Sequence, residues 1–389
     1  MAKKELTKYR FSFGPWNIHT GSDPFGPAVR KEFKFSEKIR FYRKLGFEGV
    51  QFHDDDVVSA ELGYNEMVKG TKRVARILEN EGLEAEFVAP RLWEDRRTMD
   101  GGCTSNNPMD RAYALERTKR AVDIANILKT KRMVIWPARE GTYIREAKNP
   151  RISIERMVNY INSLLEYDKN ILILGEMKPN EPMDQAYSPT TGHFIGISYK
   201  TIDPSRVGVL IESAHAILAG LDPSEEMGYA LYHNKLWGVH LNDQNGLKFD
   251  EDKSFGSVNL RRAFNQVDVL ERGGYGKNRE FIGLDVKAMR TQKREKSLEH
   301  LKNSREIFLR LLKVVRTINR KKAQEYIGHR DYEGLELFIL KNLLHAKVVA
   351  KINFFPVVST ENVKNFITNF LHFPTLFRGH SYKFILAAL

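Results

Sequence analysis

Seven residues that can carry charge, exchange a proton or present a wide aromatic face stand at the ends of short apolar runs: Trp16, His53, Trp136, Glu176, Glu212, His240 and Asp285. Carboxylates and imidazoles gathered at one place either pass protons or hold a cation. Carboxylates in such number repel one another, and a divalent metal neutralises them with least disruption. Glu176, Glu212, Asp250, Asp252 and Asp285 supply hard oxygen donors, with His215 and His240 as nitrogen donors. Such a set suits Mg²⁺, Mn²⁺ or Co²⁺ better than a thiolate-rich zinc site would. Asp250 and Asp252 lie two apart in Phe249-Asp-Glu-Asp252, so an extended segment turns both carboxylates to one side. Glu212 and His215, three apart just past a strand, can converge in the same way. The donors suffice for two cations that share a bridging carboxylate.

The elements that must position these groups follow from the apolar runs. They are Phe11–Trp16, Gly49–His53, Glu84–Ala89, Arg132–Trp136, Ile171–Glu176, Val207–Glu212, Leu236–His240 and Phe281–Asp285. Between them lie segments such as Arg111–Leu128 and Ile152–Leu165, with apolar residues three and four apart, the helical period. Alternating strands and helices imply right-handed crossovers and a parallel sheet. Eight strands is the count of a closed (β/α)₈ barrel, the TIM barrel of the α/β class, whose active sites sit at the carboxyl ends of the strands. A doubly wound open sheet is the alternative, but no glycine-rich phosphate turn follows the first strand. The expected organisation is a catalytic barrel over residues 1–318, followed by a C-terminal helical arm over 319–389 that contacts another subunit.

At this level the chain resembles the xylose isomerases, metal-dependent aldose–ketose isomerases, over roughly residues 9–345, and the shorter-N-terminus branch is the nearer one. The stretches that carry the resemblance are Asp23-Pro-Phe-Gly26, Phe52-His-Asp-Asp-Asp56, Asp100-Gly-Gly-Cys-Thr-Ser-Asn106, Trp136-Pro-Ala-Arg-Glu-Gly141 and Glu176-Met-Lys-Pro-Asn-Glu-Pro182. They continue with Glu212-Ser-Ala-His215, Leu241-Asn-Asp-Gln-Asn-Gly246, Lys248-Phe-Asp-Glu-Asp252 and Arg330-Asp-Tyr-Glu-Gly-Leu-Glu336. The resemblance implies that His53, oriented by Asp56, promotes opening of the sugar ring. It implies two divalent cations, one on Glu176, Glu212, Asp285 and residue 240, the other on Glu212, His215, Asp250 and Asp252. Lys178 would stabilise charge developing on the sugar O1, while Trp16, Trp93 and Trp136 wall the site against water. Phe25 matches a position that reaches into a neighbouring subunit's site. The resemblance therefore implies a homo-oligomer, dimer or tetramer, acting on a small sugar: D-xylose with D-xylulose, or D-glucose with D-fructose. A sugar or polyol isomerase, epimerase or lyase of altered substrate is the alternative.

The chain departs from that pattern at several points. His240 stands where the family has an aspartate, which removes one negative charge and shifts expected metal preference from Mg²⁺ toward Mn²⁺, Co²⁺ or Zn²⁺; Asp243 is the substitute ligand to consider. Ala89 and Arg91 replace a threonine and an asparagine, Trp93 a phenylalanine, Pro137-Ala138 two glycines and Leu210 an asparagine. A guanidinium at residue 91 suggests a different sugar, or an acidic group on it.

Composition bounds the rest. The chain has 389 residues, 42% of them hydrophobic, and a single cysteine, Cys103, so it can bury a large core and has no internal disulfide. No apolar run approaches the roughly 20 residues of a membrane span, and the N-terminus lacks the apolar stretch of a signal peptide. The expected setting is the cytoplasm, without a membrane partner. The formal net charge of +13 taken alone suggests an anionic partner. Its distribution argues otherwise: residues 287–389 carry 20 Lys and Arg against 8 Asp and Glu, which leaves the preceding 286 residues close to neutral. A metal-dependent barrel endonuclease would need a histidine-rich set, so no nucleic-acid partner is expected. The final stretch, 348–389, is rich in phenylalanine, which should pack on the barrel or a neighbouring subunit.

Overall fold

The computed structural model describes residues 8–23 and 26–344. Phe25 and the aromatic stretch 348–389 lie outside the described residues. The strands are β1 Arg10–Phe13, β2 Gly49–His53, β3 Glu84–Ala89, β4 Arg132–Ile135, β5 Gly141–Thr142, β6 Leu172–Glu176, β7 Gln185–Ala186, β8 Val207–Glu212, β9 Leu236–His240 and β10 Phe281–Gly283. Eight of them close a parallel barrel in the order β1-β2-β3-β4-β6-β8-β9-β10, with β10 paired back to β1. The expected (β/α)₈ barrel is the fold observed. β5 and β7 form a small antiparallel pair above it, a detail that a two-residue strand cannot announce in sequence.

Alternation along each strand decides what faces inward. Val50, Phe52, Val88, Met133, Ile135, Ile173, Val209, Ile211, Val239 and Ile282 join the large core beneath the helices. The opposite set, Phe87, Ala89, Val134, Leu174 and Leu210, fills the barrel interior, with Trp237 packed against it. Continuing the inward parity to the strand ends yields Glu176 after Leu174, Glu212 after Leu210, His240 after Gly238 and Asp285 after Gly283. Glu176, Glu212 and His240 are thus the last residues of their strands, and Asp285 keeps the same parity two residues past β10. No separate device is needed to aim them.

Helices begin where the sequence caps them. Asn107-Pro108, Asn149-Pro150 and Asp222-Pro223 each place a side-chain acceptor before proline, and each acceptor takes a backbone N–H of the first turn. After the helix Glu299–Thr317, whose Phe308 meets Tyr9 and Phe11 edge-on at 5.2 and 5.4 Å, two further helices follow, Arg320–Gly328 and Tyr332–Leu344. Phe338, Ile339 and Leu343 pack back on the main core. No described helix is long and apolar enough to cross a membrane.

One buried ion pair ties the site's loops to this frame. Arg117, on the helix Pro108–Ile127, donates from Nε to Asp54 Oδ2 at 2.8 Å and from Nη2 to Asp54 Oδ1 at 3.0 Å. Asp54 is fully buried and also accepts the backbone N–H of Arg91 at 2.9 Å. Arg117→Met should strand that carboxylate and cost about 3–5 kcal/mol in urea unfolding. A loss below about 1 kcal/mol would mean that the pair contributes only geometry.

Candidate metal and sugar site

The strand ends converge on two groups of ligand atoms. Glu176, Glu212, His240 and Asp285 offer donor atoms that all lie within 4.8 Å of one another, as do Glu212, His215 and Asp250. Glu212, the last residue of β8, belongs to both. His240 Nδ1 sits 3.2 Å from Glu176 Oε1, 3.8 Å from Glu212 Oε2 and 3.7 Å from Asp285 Oδ2. His215 Nε2 is 3.1 Å from Asp250 Oδ2 and 3.4 Å from Glu212 Oε2. The imidazole of residue 240 has room because residue 283 is glycine: a Cβ there would fall 2.9 Å from His240 Cδ2 and 2.4 Å from the Val239 carbonyl.

Electrostatics show what the cluster lacks. Burial, against the pull of the His215 imidazolium, pushes Glu212 up to about 7, and the charges on Asp250 and Asp285 add to the rise. Burial would raise Glu176 too, but the His240 imidazolium holds it down at about 2. The same pairing, acting against burial, keeps His240 protonated well above an ordinary histidine. Burial would likewise lower His215, yet Glu212 and Asp250 raise it. His215 Nδ1 and Asp250 Oδ1 are buried without a hydrogen-bond partner among the described residues. Repelling carboxylates, imidazoles drafted as counter-ions and idle donor atoms fit a set of ligands for divalent cations.

Asp250 and Asp252 do not act together as an extended segment would have them. Asp252 adopts a left-handed backbone, φ +46°, so the segment is not extended there; burial and then the nearby Asp250 charge push its carboxyl well above the ordinary range. Asp250 accepts from Lys178 Nζ at 2.9 Å, whereas Asp252 pairs with Lys287 and accepts from Asn242 Nδ2 at 3.0 Å. Asp252 therefore lies outside both ligand groups. Asn242 also donates to Glu212 Oε1 at 2.8 Å, and so links Asp252 to the shared ligand. Asp243 is no substitute ligand: its Oδ2 accepts Val258 N and Asn259 N at 2.8 and 2.9 Å, which commits it to the loop.

A run of rings walls one side. Trp16 lies 4.2 Å from His53 between centroids, His53 5.0 Å from Trp93, and Trp93 4.4 Å from Trp136. Trp136 stacks parallel to His215, and its face receives Lys178 Nζ at 5.2 Å. Trp16 Nε1 donates to Asp285 at 2.9 Å, joined on the same oxygen by Asn17 Nδ2 at 2.8 Å. Lys178 is buried between Asp250 and Glu181, 3.2 Å from the latter; burial opposes its charge, but those carboxylates raise its pKa. At the far end Asp56 Oδ2 stands 3.1 Å from His53 Nδ1 and accepts the His53 backbone N–H at 2.9 Å. His53, Lys178 and the three tryptophans thus line one cup with the ligand groups.

Asn242, Lys287, Glu181 and Asn17 escaped the sequence reading. Lys287 had a signal, since Asp285-Val-Lys287 alternates at the end of a strand; Asn242 had one in its place two residues past His240.

A closed parallel barrel with its polar donors gathered at the carboxyl rim is the class of protein that fold and site define. Residues 39–307 match the family described as xylose isomerase-like TIM barrel, and the chain belongs to that family. It is 33% identical over 293 residues to the xylose isomerase of Thermus thermophilus, covering 74% of this chain and 75% of that one. Among solved structures it resembles a D-tagatose 3-epimerase-like protein, with a TM-score of 0.59 and 17% identity over 79% of this chain and 98% of the other. An L-ribulose 3-epimerase gives 0.57 and 15% over 82% and 97%. Those two likenesses are of fold.

Proposed function

We infer that this protein is a metal-dependent sugar isomerase that moves a carbonyl between C1 and C2, with D-xylose and D-xylulose the first pair to test and D-glucose and D-fructose the second. The observation that carries this reading is a single one: a cup that holds a charged, buried Lys178 beside a ligand set, with His53 and Asp56 at its other end. The relative from Thermus thermophilus supports the same reading.

Glu176, Glu212, His240 and Asp285 would hold one divalent cation, and Glu212, His215 and Asp250 a second, with Asp252 available through Asn242. When bound, such cations polarise the sugar's carbonyl and hydroxyl oxygens. The chain's own groups do the remainder. Lys178 presents an N–H donor to an oxygen that gains negative charge, and Asp250 and Glu181 keep it protonated. Trp16, Trp93 and Trp136 exclude water from the reacting carbons. His53 hydrogen-bonds the sugar at the end away from the ligands. In this reading the enzyme works in the cytoplasm, assembled as a dimer or tetramer through the arm at 319–389.

Protein reconstituted with Mg²⁺, Mn²⁺ or Co²⁺ should convert at least one aldopentose or aldohexose to its ketose. An epimerised product with the carbonyl unmoved would replace the isomerase reading by an epimerase. Lys178→Met should lower kcat by about 10²–10³-fold with a smaller change in KM, because its donor serves charge present mainly in the transition state. Equal losses in kcat/KM and affinity would make Lys178 a binding group instead.

A further inference from the structure

Arg91 is not free to take an acidic substrate. Its Nε donates to Asp55 at 2.8 Å and its Nη2 to Asp56 at 3.2 Å, with Glu94 3.7 Å from Nη1. The same Nη2 stands 2.6 Å from His53 Nδ1. A guanidinium has five N–H donors and no acceptor. A proton on His53 Nδ1 would therefore face another N–H across 2.6 Å, which is repulsive. The Nδ1 lone pair must accept from Arg91, and the single ring proton is displaced to Nε2. Asp56 Oδ2, 3.1 Å from Nδ1, is the rival acceptor that would draw a proton to Nδ1, but Arg91 Nη2 stands nearer, at 2.6 Å, and itself donates to Asp56 Oδ1.

We propose that Arg91 is the positioning residue that sets the tautomer of His53, so that the cup meets an N–H at Nε2 rather than a lone pair. The chemical consequence is selective. A sugar's ring oxygen, flanked by two carbons, can only accept a hydrogen bond; the Nε2–H tautomer bonds it and the other tautomer cannot. Arg91 thereby tunes the site toward cyclic sugars, without touching the substrate itself. Its charge is secure in this role, since Asp56 and Asp55 overcome the burial that opposes it. Trp16 and Trp93 both pack against the His53 ring, at 4.2 and 5.0 Å between centroids.

This inference rests on the sugar-isomerase reading for its consequence, and on geometry alone for the tautomer, so the two are separately testable. In protein labelled with ¹⁵N-histidine, His53 should show a pyridine-type Nδ1 and a pyrrole-type Nε2. In Arg91→Leu, Asp56 should draw the proton to Nδ1 and the two signals should exchange character; Arg91→Lys, which still donates, should keep the native pattern. A wild-type Nδ1 that already bears the proton overturns the proposal, and that measurement needs no variant to fold. In turnover, Arg91→Leu should lose about tenfold in kcat/KM on an aldopentose. Its loss on glyceraldehyde, too short to close a ring, should be at least fivefold smaller. Equal losses on both overturn the role in ring recognition. Turnover of neither sugar by wild type would sink the isomerase reading, while the ¹⁵N pattern still decides the tautomer.

Discussion

Glu212→Gln should remove divalent-cation binding from the whole site and lower sugar turnover by at least about 10³-fold. Glu212 is the only residue shared by the two ligand groups, so one substitution weakens both. The change is nearly isosteric, and the amide can still accept from Asn242 Nδ2, which now bonds Glu212 at 2.8 Å; packing is therefore preserved. The stability of the metal-free protein should move in the opposite direction to activity. Burial with neighbouring carboxylates pushes Glu212 up to about 7, from 4.5. A raised carboxyl binds its proton more tightly in the folded state, so its penalty is absent below pH 4.5, grows as pH rises, and is complete above 7. Metal-free Glu212→Gln should thus melt higher than metal-free wild type at pH 8, and by little at pH 4.5. Calorimetry with chelator, paired with metal analysis, reads both effects. A variant that keeps two cations, or melts lower at pH 8, would show that Glu212 is not the shared ligand described.

The way the site was or was not legible in sequence follows from what alternation can carry. Glu176, Glu212 and His240 were readable because each ends its strand, and Asp285 because it continues the inward parity just past β10; strand parity is a local property. The barrel was readable for the same reason, from eight apolar runs separated by helical periods. The loops obey no such period. The backbone at Asp252 is left-handed where Asp-x-Asp implied an extended segment, and only the fold shows that carboxylate paired with Lys287. Arg91 shows the limit most clearly. Its type suggested a receptor for an acidic sugar, whereas Asp55 and Asp56, 36 and 35 residues earlier, consume that charge and turn it onto His53. A residue's chemistry can be read from its type, but its availability depends on what the fold places beside it.

His240→Asp should trade metal-free stability for Mg²⁺ use. In the metal-free protein His240 is the internal counter-ion of Glu176, Glu212 and Asp285, all within 4 Å of its Nδ1. Replacing it by aspartate gathers four carboxylates in one buried space and leaves His215 as the imidazolium beside Glu176 and Glu212, at a cost of about 3–5 kcal/mol. The pH dependence has a definite sign. Burial lowers the His240 pKa, but Glu176 more than offsets this, so the folded value lies well above 6.5. The stabilisation is fully present below pH 6.5 and fades as pH rises through the folded value. The His240 share of the melting gap between metal-free wild type and His240→Asp should therefore be complete up to about pH 6.5 and narrow from there toward alkaline pH. Divalent cations should reverse the order of effects, since four anionic oxygen ligands bind a hard cation more tightly than three with an imidazole. Wild type, with a nitrogen donor, should be activated best by Mn²⁺, Co²⁺ or Zn²⁺. The variant should need roughly tenfold less Mg²⁺ for half-activation, and it should gain more in melting temperature from Mg²⁺ than wild type does. Mg²⁺ titrations of the two proteins, followed by ketose formation and by calorimetry, give both numbers. Unchanged Mg²⁺ requirement, or wild type already favouring Mg²⁺, would mean that residue 240 does not set the metal preference. In that case the imidazole serves only as the counter-ion of the carboxylates in metal-free protein, and the melting gap alone should survive.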